Sequence, residues 1–252
     1  MNFIDTHCHI HDTQFFPDGR EDAYQRAIDA DVAMLCVGTS EADSREAVRF
    51  VADRDNAWAI VGVHPHDSKD GWQDIGKLLA EKPQKVVGIG EIGLDYFYDN
   101  SPRDTQVKAL EQQLQWAMDY GLPVSFHVRE AYEDFWSIFD NFTGVRGVLH
   151  SFTDTAATLE SALRRGLYIG INGISTFTKD AAQQEMFRHI PLQKMLLETD
   201  APFLTPKPFR GKVNEPAFVK QVAEFHAYER NVSLTEVADT TTANARDLFA
   251  RS

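Results

Sequence analysis

Short apolar runs alternate with longer amphipathic stretches along the whole chain. The runs are Phe3–Cys8, Val32–Val37, Trp58–Val63, Lys85–Gly90, Pro123–His127, Gly147–His150, Leu167–Ile171 and Lys194–Glu198. Each is four to six residues long, and most are continuously apolar rather than alternating. That is the pattern of parallel strands buried on both faces. Helices are predicted between them, over Asp18–Ala30, Ser40–Ala52, Trp72–Ala80, Ser101–Tyr120, Glu130–Phe139, Asp154–Arg164 and Lys179–Arg188. Ser40 is a capping residue, and Ser101-Pro102 reads as a cap followed by proline in the first turn. Trp116 and Met118 on the longest helix read as core. Two further helices, Glu215–Arg230 and Leu234–Ala250, finish the chain, the second behind the capping box Ser233-Leu234-Thr235-Glu236.

Eight strand–helix alternations in 252 residues leave about 31 residues per unit, the size of a βα repeat. No linker or low-complexity segment divides them. The expected fold is α/β, a single (β/α)8 TIM barrel over residues 1–252 with two C-terminal helices.

Composition adds limits. With 25 basic and 38 acidic side chains the net charge is −13, which argues against a basic surface that coats nucleic acid. Two cysteines, Cys8 and Cys36, make no disulfide framework and read as buried small hydrophobes. No apolar run spans a bilayer, and the start MNFIDTHCHIH lacks the basic and apolar regions of a signal peptide. A cytoplasmic location is expected.

The chemistry gathers at strand ends. Barrel active sites lie at the carboxyl-terminal face of the strands. There the sequence places His7 and His9, His64, Glu91, His127, His150 and Asp200. His7 and His9 lie two apart on a strand, so both imidazoles face the same way and can reach one metal. Imidazole and carboxylate donors without thiolate suit Zn, Mn, Fe or Ni, and Mg less well. Asp200 can bind metal and take a proton from water. Glu198, one layer deeper, reads as a buried acid that orients a ligand or a loop.

The run Gly88-Ile89-Gly90-Glu91-Ile92-Gly93 contains G-x-G-x-x-G, but no helix opens behind it. Glu91 would also place a carboxylate in the anion cradle. The glycines are better read as letting the backbone bend at the strand end, with Glu91 aimed into the mouth. One carboxylate there can bridge two metals, and two metals can bind an attacking hydroxide and a phosphoryl oxygen together.

These blocks resemble the TatD family of metal-dependent deoxyribonucleases in the amidohydrolase superfamily. The likeness covers essentially the whole chain. It is carried by Phe3-Ile4-Asp5-Thr6-His7-Cys8-His9, Gly62-Val63-His64-Pro65-His66, Gly90-Glu91-Ile92-Gly93-Leu94-Asp95-Tyr96, His127-Val128-Arg129 and His150-Ser151-Phe152-Thr153. Glu198-Thr199-Asp200-Ala201-Pro202-Phe203-Leu204, Pro208-Phe209-Arg210-Gly211-Lys212, Asn214-Glu215-Pro216 and the tail Asn244-Ala245-Arg246-Asp247-Leu248-Phe249 complete it. The resemblance implies a barrel with two divalent metal ions, zinc, magnesium or manganese. His7, His9, Glu91 and Asp200 match the ligands of one. Glu91, His127 and His150 match those of the other, with Glu91 bridging. His64 matches a residue that contacts substrate or water, and Asp200 doubles as general base. The implied activity is hydrolysis of phosphodiester bonds in DNA, as a 3′→5′ exonuclease on single-stranded ends or short fragments. Asp154 departs from the glycine common in the family and is read as a helix cap.

A DNA substrate needs phosphate contacts. Arg129, Arg210 and Lys212 are the candidates, the last two on a loop with three cations in six residues, Lys207–Lys212. Tyr96, Phe97, Tyr98, Phe152, Phe177 and Phe209 lie just past strand ends, where bases can stack. The same ligands would equally serve a hydrolase of a small ester, amide or lactone. A non-catalytic scaffold barrel is the reading from another class, and the intact ligand set argues against it. No obligate protein partner is evident.

Overall fold

In a computed structural model the described residues are 3–16 and 19–249. Eight parallel strands appear where the apolar runs place them: β1 (Phe3–Cys8), β2 (Val32–Val37), β3 (Ala57–Val61), β4 (Val86–Asp95), β5 (Val124–Arg129), β6 (Gly147–Leu149), β7 (Tyr168–Ile171) and β8 (Met195–Leu197). Ten helices accompany them among the described residues: α1 (Arg20–Asp29), α2 (Glu41–Val51), α3 (Gln73–Ala80), α4 (Arg103–Tyr120), α5 (Tyr132–Phe139), α6 (Ala156–Arg164), α7 (Ile174–Phe177), α8 (Ala181–His189), α9 (Val219–Arg230) and α10 (Leu234–Phe249). The strands make one parallel sheet in chain order, β1 to β8. A parallel bridge, Cys8 to Ala201, brings the segment after β8 back to β1. The fold is the (β/α)8 barrel.

The chain packs as two compact units, one made of residues up to Cys36 with those from Ser151 on, the other of Val37–His150. In the first, β7 pairs β8 and β1 pairs β2. Every residue of β2 is buried, as a strand covered on both faces requires. The β1–β8 junction is tied by polar groups as well as by the Cys8–Ala201 bridge. The Asp5 carboxylate, fully buried, accepts from the Thr199 backbone N–H at 2.8 Å, the Thr199 hydroxyl at 2.5 Å and the His7 N–H at 3.3 Å. Thr6 Oγ1 donates to Leu197 O, and Asp200 N to His7 O at 2.8 Å. Burial pushes the Asp5 pKa well above the ordinary carboxylate value, against the hydrogen bonds from Thr199 and His7. Both cysteines are buried thiols, as their apolar settings suggest.

In the second unit, β3 to β6 pair in order. Helix α4 supplies two buried glutamines that finish the backbone bonding at strand ends. Gln113 accepts from Val63 N at 2.7 Å and donates to Val63 O. Gln106 accepts from Asp95 N at 2.8 Å and donates to Asp95 O. The buried stripe of α4 is Gln106, Ala109, Leu110, Gln113, Leu114 and Ala117. Met118 lies off that stripe and is 45% exposed, contrary to the core role its apolarity suggests.

Local expectations need four corrections. Strand β4 does not stop at Gly90 but runs to Asp95. Pro102 itself is the N-cap of α4, because Ser101 is engaged elsewhere, its hydroxyl donating to His66 O. Thr155, not Asp154, caps α6; Asp154 instead accepts from Thr155 N and the Thr158 hydroxyl. The one-turn helix α7 occupies a stretch to which the pattern assigns no element. Ser40 does cap α2, and Ser233 accepts from Glu236 N. The predicted helix ends at Asp18 and Ala250 lie outside the described residues.

Glycine is required at position 93. Its φ is +153°, and a Cβ there would lie 1.7 Å from His127 O on the neighbouring strand. Gly93→Ala should therefore force β4 from β5 and destabilise the fold by about 3 kcal/mol or more, measured by denaturant unfolding. A change below about 1 kcal/mol would show that the strands can separate freely there.

Candidate metal centre

Each unit presents one cluster of imidazoles and carboxylates at its carboxyl-terminal strand ends. In the first unit β1 delivers His7 and carries on to His9, both buried. Their Nε2 atoms aim at one oxygen, Asp200 Oδ1, at 3.9 Å and 3.4 Å. Asp200 is held there by its backbone. Its φ is +58°, unusual for a residue with a side chain, and the bonds at Thr199 and His7 fix it. Asn214 adds a further tie, donating to Thr199 O at 2.9 Å and Phe203 O. Beside it, Glu215 takes a two-pronged ion pair from Arg26 of α1, at 2.6 Å and 2.9 Å. Glu198 is 1% exposed and accepts from Ser151 N at 2.6 Å, the loop-orienting role its depth suggests.

In the second unit Glu91 is the hub. Its Oε1 lies 2.8 Å from His127 Nδ1, 3.5 Å from His64 Nε2 and 3.6 Å from His150 Nε2. The β4–β5 register shifts between Ile89 and Ile92, so Glu91 stands in an irregular step of the strand. The expectation that the glycines bend the backbone beside it is met in the middle of β4 rather than at its end.

The other side of His127 meets a residue that the sequence reading passed over. Asp95 Oδ2 lies 2.9 Å from His127 Nε2 and 3.0 Å from His66 Nε2, the latter an off-line contact rather than an aligned hydrogen bond. Asp95 Oδ1 accepts from Phe97 N and Tyr98 N. Burial acts to raise its pKa, but the contacts from His127 and His66 outweigh it and hold the group well below the ordinary value. Burial likewise acts to lower His127, while Asp95 and Glu91 outweigh it and raise it. The signal was available in the sequence: Glu91, Gly93 and Asp95 share one face at a period of two once β4 is carried past Gly90.

His64 behaves differently. Burial, then the neighbouring His127, pushes its pKa well down, so the ring is neutral. Its Nδ1 accepts from His66 N at 3.1 Å. The single ring proton therefore belongs on Nε2, the atom facing Glu91. That makes His64 a hydrogen-bond donor toward the cluster.

The donor set fits divalent ions. Around Glu91 Oε1 stand His127 Nδ1 at 2.8 Å and His150 Nε2 at 3.6 Å, with His64 as a donor beside them. The His127 Nδ1 to Glu91 contact is a short proton-bridged one, of the kind a cation replaces, and Asp95 on Nε2 leaves the Nδ1 lone pair for it. Two Nε2 atoms converging on a carboxylate oxygen, as at Asp200, make the same kind of set.

The cations read as phosphate contacts are on the surface. Arg129 ends β5, exposed, with its guanidinium over the rings of Phe97 (4.1 Å) and Tyr98 (4.7 Å). Arg210 and Lys212 are exposed on the loop after β8. Arg210 stacks on Phe177 at 3.9 Å and donates to Thr205 O. Phe97 and Tyr98 are half exposed. Phe152 is buried and is no stacking platform as it stands.

A parallel barrel with imidazole and carboxylate clusters at its strand ends defines a class, the metal-dependent hydrolases. Comparison narrows it. The model of the TatD related DNase family matches residues 4–250, and the chain belongs to that family. An uncharacterized metal-dependent hydrolase of Bacillus subtilis (strain 168) is 36% identical, over 98% of each chain. A 3′-5′ ssDNA/RNA exonuclease of Shigella flexneri serotype 5b is 36% identical over 98% of each chain. The crystal structure of a TatD homologue from Escherichia coli K12 superposes with a TM-score of 0.91 at 28% identity, covering 100% of this chain and 99% of that one.

Asp95→Asn keeps an oxygen for the Phe97 and Tyr98 N–H groups but removes the charge behind His127. Divalent metal affinity, measured by chelator competition, should fall about 10–100-fold while circular dichroism stays unchanged. Undiminished affinity would assign Asp95 to loop bonding alone.

Proposed function

We propose that this member of the family is a 3′→5′ exonuclease that hydrolyses phosphodiester bonds at single-stranded DNA ends or in short fragments. The observation that carries the reading is the meeting of His127 Nδ1 and His150 Nε2 on Glu91 Oε1, at 2.8 Å and 3.6 Å, in a chain of this family. Two divalent ions are proposed, of zinc, magnesium or manganese. His7, His9, Glu91 and Asp200 serve one, and Glu91, His127 and His150 the other. Bound there, they would supply Lewis acidity toward a phosphoryl oxygen and a lowered pKa for water.

The chain's own groups do the rest. Asp200, the general base, takes the proton of the attacking water on a carboxylate oxygen. Water oxygen bonds to phosphorus as the bridging oxygen on the far side leaves with the shortened strand and takes a proton from solvent, becoming its hydroxyl end. His64, neutral with its proton on Nε2, donates a hydrogen bond to substrate or water. Glu91 would be the ligand shared by both ions. Arg129, Arg210 and Lys212 contact phosphates along the strand, and the exposed rings of Phe97 and Tyr98 offer bases a stacking surface.

Residues 1–252 are proposed to act as one catalytic domain in the cytoplasm, without an obligate protein partner. Among the described residues no helix is long and apolar enough to cross a membrane. The cytoplasmic reading rests on a composition of two unpaired thiols. Relatives bearing the exonuclease name support the nuclease over a carbonyl hydrolase.

End-labelled single-stranded DNA should be shortened stepwise from its 3′ end by metal-loaded protein. A chelator should stop it and added metal restore it. Asp200→Asn should lower turnover at least about a hundredfold with the fold intact. Turnover of an ester, amide or lactone panel with none on phosphodiesters would replace the nuclease reading by the carbonyl one.

A further inference from the structure

The first unit holds a cavity of about 270 Å³ between α7, α8, α9 and the loop after β8. None of its lining residues is among the strand-end histidines and acids. Ser175, Arg188, Lys207, His226, Glu229 and Arg230 supply its polar wall. The charges do not balance. Arg188 is already paired, with Glu185 at 2.9 Å and Glu229 at 3.3 Å. Glu229 is thereby used, and Lys207 and Arg230 remain.

Arg230 is the informative residue. Its Nη2 donates to Phe187 O at 2.9 Å, while its Nε is buried and has no acceptor. Among the described residues no carboxylate pairs with it. A half-buried guanidinium with no carboxylate beside it is costly to keep, and an anionic ligand would satisfy it. Burial lowers its pKa, in keeping with that environment. His226 adds no charge. It is 2% exposed, its Nε2 contacts Ser175 Oγ at 3.0 Å, and burial and the Arg230 charge bring its pKa to about 3. Lys207 is exposed at the rim, with its backbone N–H bonded to Thr176 Oγ1.

We propose that this cavity binds a phosphomonoester, gripped by the Arg230 guanidinium and the Lys207 ammonium. The charge decides between phosphate types. Two uncompensated cations match a phosphomonoester, which carries about −1.5 to −2 at neutral pH, better than a diester. Arginine supplies planar donors to phosphate oxygens and lysine a point charge. The size, near the lower end of ligand cavities, suits a phosphate group or a mononucleotide. Two sources share that chemistry: a free mononucleotide, and the terminal phosphate of a strand. The site stands independently of the nuclease reading, since its residues are not those of the metal centre.

Inorganic phosphate titrated into metal-loaded protein by calorimetry is the test. Wild type should bind it at a site that Arg230→Gln weakens at least tenfold, while Arg230→Lys keeps most of the affinity. Hydrolysis of bis(p-nitrophenyl) phosphate, if the metal centre supports it, should be the same in all three. Because Arg230→Gln removes a half-buried charge that no carboxylate pairs among the described residues, it should melt no lower than wild type. Should it fail to fold, Lys207→Ala on the exposed loop gives the second reading, with at least a threefold loss. Competition by a 5′-phosphorylated tetranucleotide but not its 5′-hydroxyl form would assign a strand end, and competition by a mononucleotide a free ligand. Equal phosphate affinity in wild type and the folded variants overturns the proposal. So does phosphate binding that vanishes on metal removal with Arg230 intact, or phosphate binding that neither nucleotide competes.

Discussion

One buried carboxylate holds the first unit's chemistry in place. Asp5 has no solvent to ionise against, and it spends its oxygens on Thr199 and His7. Those two residues set the proposed ligands: His7 is a strand-end imidazole, and Thr199 leads into Asp200. The left-handed backbone at Asp200 would relax if Thr199 were loose. A buried polar group left without partners costs about 1–3 kcal/mol, so each bond Asp5 makes also removes an alternative position for the segment. Rigidity here would serve the proposed chemistry, because a metal ligand or general base displaced by about 1 Å loses much of its effect.

The second unit reaches the same end by another route. Its strand ends would expose backbone groups just where His64 and Asp95 leave the ladder. Gln113 and Gln106 of α4 take both the donor and the acceptor at each end. A glutamine amide copies the peptide group it completes, so the helix acts as an extra backbone partner. Glycine at 93 then lets β4 lie against His127 O, which keeps Asp95 in reach of the His127 ring. The family motif from Gly90 to Tyr96 thus joins two kinds of residue, those that permit close approach and those that use it.

Much of this was legible in the sequence. Buried parallel strands have an apolar signature that survives without tertiary information, so all eight appear within a few residues of their expected places. The strand-end histidines and Asp200 were legible for the same reason: a polar residue closing an apolar run has few structural explanations. Asp95 was not, because a strand that passes through three glycines and a glutamate looks finished at Gly90. Nor was the N-cap role of Thr155 over Asp154, since both are good caps and only the backbone angle chooses between them. The wall around Arg230 was invisible for a different reason. Its residues come from three separate elements and the loop after β8, and only folding shows that one guanidinium lacks an acid.

Charge connects the two clusters to their proposed work. A chain with net −13 places imidazoles against Glu91, Asp95 and Asp200. Imidazole is a conditional counter-charge. His64, kept neutral by burial and by the His127 charge beside it, provides none, and His127 provides it only while carboxylates flank both its nitrogens. Buried carboxylates are tolerated when their charge is met, and divalent ions meet it in full without the length of a lysine or arginine. The ions that make such a cluster electrically acceptable are the same charges a phosphodiester would need. An acidic protein can therefore act on an acidic polymer by concentrating positive charge at one point, and such a protein should engage a strand end rather than run along a duplex.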